Sequence, residues 1–321
     1  MRYKCGTRNK MTQTIGTVRE SPHSNWAFFD APPRTSRASP FYVICNSVPK
    51  AGTYLLVELV KALGGHVDIG YHCYTSSISK VHRDGRFDSE RRIPAPLWSS
   101  SLKPGYLCAA HVEYDALYEQ QLLSCKQHKM LFIIRDPRDL VISWVDFIYN
   151  SLSYPKMRKW NEVARERGKL SFPDDASQIA STIRSLPSSG ISEYLSWIDS
   201  PACLTVRFED LYAELSDENK TDFPVLNSIC DYLEISRRSP SDLVGAIGSG
   251  LTESGRKKKV GIYKDRIISA QHLAMLIEED FQRLVVEFGY PPTPHLPDAA
   301  KARVVVRALR KLIPGGASPN R

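Results

Sequence analysis

Residues 41–53 read F-Y-V-I-C-N-S-V-P-K-A-G-T, and this stretch decides the fold. Its first seven residues form a short apolar run that is typical of a buried strand. A turn follows at residues 49–52, and an amphipathic pattern over residues 54–63 then predicts a helix. A strand, a glycine-containing loop and a helix N-terminus together form a candidate anion site, because free backbone N–H groups and the helix dipole face the loop.

Three further apolar runs predict strands that lie beside the first one. They are residues 105–111, 130–135 and 203–208. Amphipathic segments follow these runs, and strands that alternate with helices indicate an α/β fold with a central parallel sheet covered by helices. The predicted helices are residues 114–125, 138–149, 224–233 and 271–288, the last of which we interpret as one continuous helix.

The chain of 321 residues divides into three parts. Residues 1–40 form a polar lead-in that we expect to be partly disordered, and residues 41–298 form the α/β domain. Residues 299–321 form a basic tail, in which residues 299–313 carry five basic and no acidic side chains. This pattern fits an amphipathic helix that either makes peripheral contact with a membrane or packs on its own domain.

Charge and cysteine content narrow the class of partner. The formal net charge of +8 favours an anionic partner such as a nucleotide, but the basic residues are too dispersed to favour nucleic acid. No apolar run reaches 18 residues, and the N-terminus lacks the apolar region of a secretory signal. Seven cysteines, an odd number without a C-x-x-C pair, indicate free thiols in a reducing compartment, so we expect a cytoplasmic protein.

A second motif, F-I-I-R-D-P-R-D at residues 132–139, follows the third predicted strand. The strand delivers Arg135 to the carboxyl edge of the sheet, where open α/β sheets bind ligands. Ser143 lies farther along the next helix, where its hydroxyl can join Arg135 on one phosphate. The alternative is a structural ion-pair cluster, and we expect Asp136 and Asp139 to cap and orient in this way.

His111 ends the second predicted strand of the core and is the candidate general base. An imidazole titrates near neutral pH, so at this edge it can take a proton from an acceptor hydroxyl. The alternative is a core histidine that is satisfied by a backbone carbonyl group. We expect Tyr71, His72 and Tyr74 to line the acceptor site nearby.

The order and spacing of these segments resemble the sulfotransferases that use 3′-phosphoadenosine 5′-phosphosulfate (PAPS). In that family a P-K-S-G-T-T-W loop grips the 5′-phosphosulfate, and an R-D-P-R-D segment with a serine grips the 3′-phosphate. Residues 206–211 (V-R-F-E-D-L) resemble the family's Y-E-D-L segment, and residues 256–265 (R-K-K-K-V-G-I-Y-K-D) resemble its R-K-G-x-x-G-D-W-K-N loop. The resemblance spans about residues 41–290.

The resemblance implies a single-domain, P-loop-NTPase-like sulfotransferase fold and transfer of a sulfuryl group to a hydroxyl or amine. PAPS would be the co-substrate and adenosine 3′,5′-bisphosphate (PAP) the product, with no metal and with a small-molecule, glycan or lipid acceptor; a homodimer is compatible. His111 and Lys50 would be catalytic. The nucleotide would be bound by Lys50, Ala51, Gly52, Thr53, Tyr54, Arg135, Ser143, Arg256 and Lys257.

Several positions depart from the family pattern. Ala51 replaces a serine, Leu55 replaces the tryptophan expected near adenine, and Ala109 replaces a lysine. These departures leave open a degenerate nucleotide-binding protein of the same fold. A P-loop-like nucleotide kinase is a further alternative, although no Gly-Lys-Ser/Thr sequence occurs in the chain.

Overall fold

The computed structural model describes residues 39–80, 92–150, 175–216, 221–236, 242–243, 247, 260–267 and 269–293. Its centre is a six-stranded sheet with the strand order β3-β2-β4-β1-β5-β6. β1 is parallel to β4 and β5, β2 is parallel to β4, and β5 is parallel to β6, whereas β3 runs antiparallel to β2. The strands are β1 Tyr42–Ser47, β2 Val67–Tyr74, β3 Ile78–Lys80, β4 Tyr106–His111, β5 His128–Ile134 and β6 Cys203–Arg207.

Helices cover both faces of this sheet. They are α1 Thr53–Leu63, α2 Ala95–Ser100, α3 Ala116–Ser124, α4 Pro137–Asn150, α5 Asp175–Ser185, α6 Phe208–Ser216, α7 Pro224–Tyr232, α8 Tyr263–Arg266, α9 Ala270–Leu276 and α10 Glu279–Glu287. Alternate strand residues point to opposite faces, so the core has two layers. Helices α1, α6 and α7 bury apolar side chains on one face, and α4, α5 and α10 do so on the other. The predicted α/β class is confirmed.

The four predicted core strands are present, with ends that differ by one or two residues. The single helix predicted over residues 271–288 is wrong, because the chain turns at Ile277 and Glu278 between α9 and α10. β2 and β3 were not predicted. Residues 1–38 of the lead-in, the basic tail 299–321, Arg256 and Lys257 lie outside the described residues.

Two findings bear on the expected environment of the chain. In the described part of the sequence, no helix is both long enough and apolar enough to cross a membrane. The six cysteines in that part are all free thiols, and Cys45, Cys73, Cys108 and Cys230 are buried. Burial raises the pKa of the Cys45 thiol well above the usual range, and a hydrogen bond with Cys73 together with burial does the same for the pKa of Cys108, so these groups are small core side chains rather than nucleophiles.

Candidate active site

The carboxyl ends of the parallel strands bring His111, the loop with Lys50 and Arg135 to one edge of the sheet. Tyr74 at the end of β2 pairs with His111 at the end of β4. Ser47 at the end of β1 pairs with Ile133 of β5, two residues before Arg135. Because β1 lies between β4 and β5, the loop after Ser47 separates His111 from Arg135 along this edge.

The loop between β1 and α1 has a strained backbone that requires glycine. Its turn is closed by the Ala51 N–H, which donates to the Val48 carbonyl oxygen at 3.0 Å. Lys50 has a φ of 73° and Gly52 a φ of 116°. A Cβ atom on Gly52 would lie 2.6 Å from Cδ2 of Phe208. A residue with a side chain would therefore be strained at this φ and would also clash with Phe208. Helix α1 begins directly after this turn, so its first backbone N–H groups, which have no partner within the helix, lie at the loop.

Ser47 connects this loop to His111. Its Oγ lies 2.5 Å from Oγ1 of Thr53 and 3.0 Å from Nδ1 of His111. Thr53 is buried and opens α1, so its hydroxyl is held at the helix N-terminus. The contact fixes the phosphate-loop candidate and the candidate base relative to one another.

The imidazole of His111 has a defined tautomer. Its Nδ1 lies 2.9 Å from the Ser47 carbonyl oxygen, which can only accept, so Nδ1–H donates and Nε2 keeps a lone pair. Burial lowers the pKa of His111 to about 4, and the positive charge of Lys50 contributes in the same direction. The imidazole is therefore neutral at pH 7. The sequence left open that His111 is a core histidine satisfied by a backbone carbonyl group, and Nδ1 does make such a contact. The residue also lines a cavity, however, as a general base would.

Buried contacts hold the chain that follows His111. The side-chain amide of Asn46 donates to the Val112 carbonyl oxygen at 3.0 Å, and its oxygen accepts from the Val112 N–H at 2.8 Å. Nε1 of Trp197 donates to the same carbonyl oxygen at 3.0 Å. On the other side, the ring of His72 lies 4.4 Å from that of His111. These contacts fix the direction of the His111 side chain.

Arg135 lies on the far side of the loop and is buried, with 7% of its surface exposed. Nη2 of Arg135 lies 3.6 Å from Oδ2 of Asp139, and its guanidinium lies 4.4 Å above the ring of Phe208. Phe208 thus contacts Arg135 and also closes the space beside Gly52. Ser143 is half-buried in the second turn of α4, the helix that begins two residues after Arg135.

The two aspartates of the second motif cap and orient, as the sequence predicts. Asp136 accepts from Nε of Arg138 at 2.8 Å and from its Nη2 at 2.7 Å. Asp139 accepts from the backbone N–H groups of Gly261 at 2.7 Å and Tyr263 at 3.1 Å. Asp139 therefore holds the chain that follows the basic segment 256–259 beside the end of β5.

Sequence reasoning missed the structural role of the segment that begins α6. Oε1 of Glu209 accepts from the Asp136 N–H at 3.0 Å, and its Oε2 accepts from the Tyr290 hydroxyl at 2.7 Å. Together with the Phe208 contacts, these bonds tie the start of α6 to the Arg135 segment and to the C-terminal end of the described chain. The only signal in the sequence was the family-like segment 206–211, which indicates a location but no contacts.

The positions that depart from the family pattern lie mostly in the core. Ala51, Leu55 and Ala109 are buried, and Leu55 packs with the apolar face of α1. Tyr54, its neighbour, is 37% exposed, and its ring lies 6.1 Å from that of His72.

A cavity of about 370 Å³ opens beside His111, on the side of β2 and β3. Its lining comprises residues 74–77, Ser79, His111, Glu113 and Tyr194. Of the three residues predicted to line an acceptor site, Tyr74 belongs to the lining of this cavity, whereas Tyr71 and His72 do not. Within the described residues, no three His, Cys, Asp or Glu side chains are grouped as a metal site would require.

Two solved structures are distantly similar to this chain. One is the crystal structure of mouse sulfotransferase SULT7A1 complexed with PAP, at 14% identity and a TM-score of 0.40, which covers 73% of this chain and 68% of that one. The other is retinol dehydratase in complex with androsterone and inactive cofactor PAP, at 13% identity and a TM-score of 0.33, which covers 81% and 84%. No protein-family model and no curated protein matches the sequence.

Proposed function

We propose that this protein is a sulfotransferase that moves the sulfuryl group of PAPS to a hydroxyl or amine of an acceptor. The observation that carries the proposal is the position of three groups along one sheet edge. A neutral imidazole at residue 111, the loop with Lys50 and the buried Arg135 follow one another at the ends of β4, β1 and β5.

The residues present fit a ligand with two separate phosphate groups. The N–H groups of residues 50–53, the Thr53 hydroxyl and the Lys50 ammonium would bind the 5′-phosphosulfate, because a helix N-terminus stabilises negative charge. Arg135 and Ser143 would bind the 3′-phosphate. Arg256 and Lys257 would join them, since Asp139 holds Gly261, a few residues farther along the chain, beside the end of β5.

The proton leaves through His111. The acceptor oxygen forms a bond to sulfur while the bond from sulfur to the 5′-phosphate oxygen breaks, and that oxygen keeps the electron pair. Nε2 of His111 takes the acceptor's proton, because Nδ1 already carries a hydrogen that is donated to Ser47. Lys50 stabilises the charge that develops on the leaving oxygen. An anion bound next to Lys50 offsets its positive charge, which raises the pKa of His111 towards its ordinary value.

The base assignment is tested with His111→Asn. The asparagine amide can still donate to the Ser47 carbonyl but offers nothing in place of Nε2. We expect turnover of PAPS to fall by roughly 10²- to 10⁴-fold, with the affinity for PAP changed by less than about twofold. Turnover close to that of the wild type would contradict the assignment.

The 3′-phosphate assignment is tested with Arg135→Lys, which keeps the charge but loses the planar fork. We expect binding of PAP to weaken about tenfold or more, with little change for adenosine 5′-phosphosulfate, which lacks the 3′-phosphate. Equal losses for both nucleotides would count against this role.

Calorimetry with PAP alone and with ATP plus Mg²⁺ separates the rival functions. A sulfotransferase binds PAP without metal, whereas a P-loop-like kinase requires ATP and Mg²⁺. A degenerate nucleotide-binding protein would bind PAP but show no sulfuryl transfer to any acceptor. The buried Leu55 and Ala109 are the features that make this last control necessary.

A further inference from the structure

The cavity beside His111 has an unusually polar lining for a small-molecule site, since such pockets are mostly apolar. Six of its eight lining residues carry a hydroxyl group, and the other two are His111 and Glu113. Its position on the β2 and β3 side of His111, away from the loop with Lys50, suits the acceptor rather than the nucleotide.

Two serines with little exposed surface line this cavity. Ser77 is 2% exposed and Ser79 is 7% exposed, and Ile78 between them packs into the core. Both residues belong to the wall of the cavity, where a polar ligand can reach their hydroxyl groups. A ligand that covers these hydroxyls without bonding to them would leave them buried and unsatisfied, which costs about 1–3 kcal/mol for each group.

Glu113 supplies a negative charge to the same cavity. Its backbone N–H donates to Oγ1 of Thr75 at 2.9 Å, which fixes the residue at the cavity wall. The side chain is half-buried and makes no ion pair with any residue of the described segments. Glu113 and Tyr194 both line the cavity. Burial raises the pKa of the Tyr194 phenol, and the charge of Glu113 contributes in the same direction. A carboxylate in such a position attracts a cation and repels an anionic acceptor.

We propose that the acceptor is a small polyhydroxylated amine, whose ammonium group pairs with Glu113 and whose hydroxyls bind Ser77 and Ser79. This inference rests on the proposed sulfotransferase function. One hydroxyl of the acceptor lies at Nε2 of His111 and loses its proton there as its oxygen bonds to sulfur and PAP leaves. An apolar phenol or steroid would instead leave the serine hydroxyls without partners.

The test uses the full chain saturated with PAP and three probes, which are D-glucosamine, D-glucose and 4-nitrophenol. We expect glucosamine to bind more tightly than glucose and 4-nitrophenol by NMR titration. Glu113→Gln should weaken glucosamine binding by roughly 10- to 100-fold, as expected for the loss of a charge-assisted bond, and leave glucose unchanged. Glu58→Gln, on the outer side of α1, is the matched control and should change neither.

Ser77→Ala provides an independent variant in case Glu113→Gln fails to fold. It should weaken both sugars about equally and leave 4-nitrophenol unchanged. Two results would overturn the inference: tighter binding of 4-nitrophenol than of glucosamine, or equal binding of glucosamine to Glu113→Gln and to the wild type. In either case, binding of PAP would still support the sulfotransferase proposal. Failure to bind PAP would instead refute that proposal, and the same titrations without nucleotide would still report on the cavity.

Discussion

The close packing of Phe208 against Gly52 predicts that any side chain at position 52 destabilises the fold. In Gly52→Ala, the new Cβ would lie 2.6 Å from Cδ2 of Phe208, at a φ of 116°. A positive φ costs an L-residue about 1–2 kcal/mol, and forcing a methyl group into a packed site costs about 1–3 kcal/mol more. We therefore expect the free energy of unfolding to fall by about 2–5 kcal/mol.

Gly190→Ala is the matched control for this change. Gly190 also has a positive φ, of 79°, but the nearest atom to a Cβ there is Oε1 of Glu193 at 3.6 Å. This variant should lose only the backbone part, about 1–2 kcal/mol. The difference between the two variants then measures the crowding against Phe208.

Urea unfolding followed by tryptophan fluorescence measures both losses, and calorimetry measures PAP binding. Gly52→Ala should weaken PAP binding because the loop must shift, whereas Gly190→Ala should leave it within about twofold of the wild type. Equal losses of stability in the two variants would refute the steric part of the reasoning. Unchanged PAP binding in Gly52→Ala would refute the role of this loop.

Three more predictions concern the supports of the site. Because the pKa of His111 is lowered to about 4, the contribution of this residue to stability is complete above about pH 6.5 and is lost as the pH falls towards 4. His111→Asn should therefore remove roughly 3 kcal/mol from the pH dependence of the free energy of unfolding, as measured by urea titrations at several pH values. An unchanged pH dependence would argue against the lowered pKa. Asp139→Asn should weaken the hydrogen bond from the Gly261 N–H and lower the affinity for PAP. An unchanged affinity would show that the segment before Gly261 does not contact the nucleotide. Asn46→Leu should destabilise the fold by about 1–3 kcal/mol, because it leaves the Val112 N–H unsatisfied. It should also reduce turnover, because His111 precedes Val112 and would be displaced with it. Full activity would contradict this prediction.

The sequence predicts the central strands well because each is a continuous apolar run that is buried on both faces. β2 escaped prediction because its sequence V-D-I-G-Y-H-C-Y has a glycine with a φ of 69° and shifts its register between Asp68 and His72. Such a strand has no clear alternation, and its pairing with β4 is what makes it a strand. The break at Ile277 and Glu278 was missed for a related reason, since no glycine or proline marks it.

The candidate site divides in the same way. Local motifs were enough to predict that His111 and Arg135 lie at one edge of the sheet, because each follows a predictable strand and the ends of parallel strands share an edge. The hydrogen bond from His111 to Ser47 and the contact of Phe208 with Arg135 depend on strand order, which local sequence does not encode. The positions of Ser77 and Ser79 in the cavity wall were likewise not predicted, because β3 was not recognised.

The ring of Phe208 packs both beside Gly52 and against the guanidinium of Arg135, so one uncharged side chain contacts both ends of the candidate site. Because the ring is rigid, a shift of the loop at Gly52 towards Phe208 would be passed on to Arg135. Under the proposed function, this side chain would help to set the distance between the two bound phosphate groups. Phe208→Leu would change that distance without altering any charge in the site.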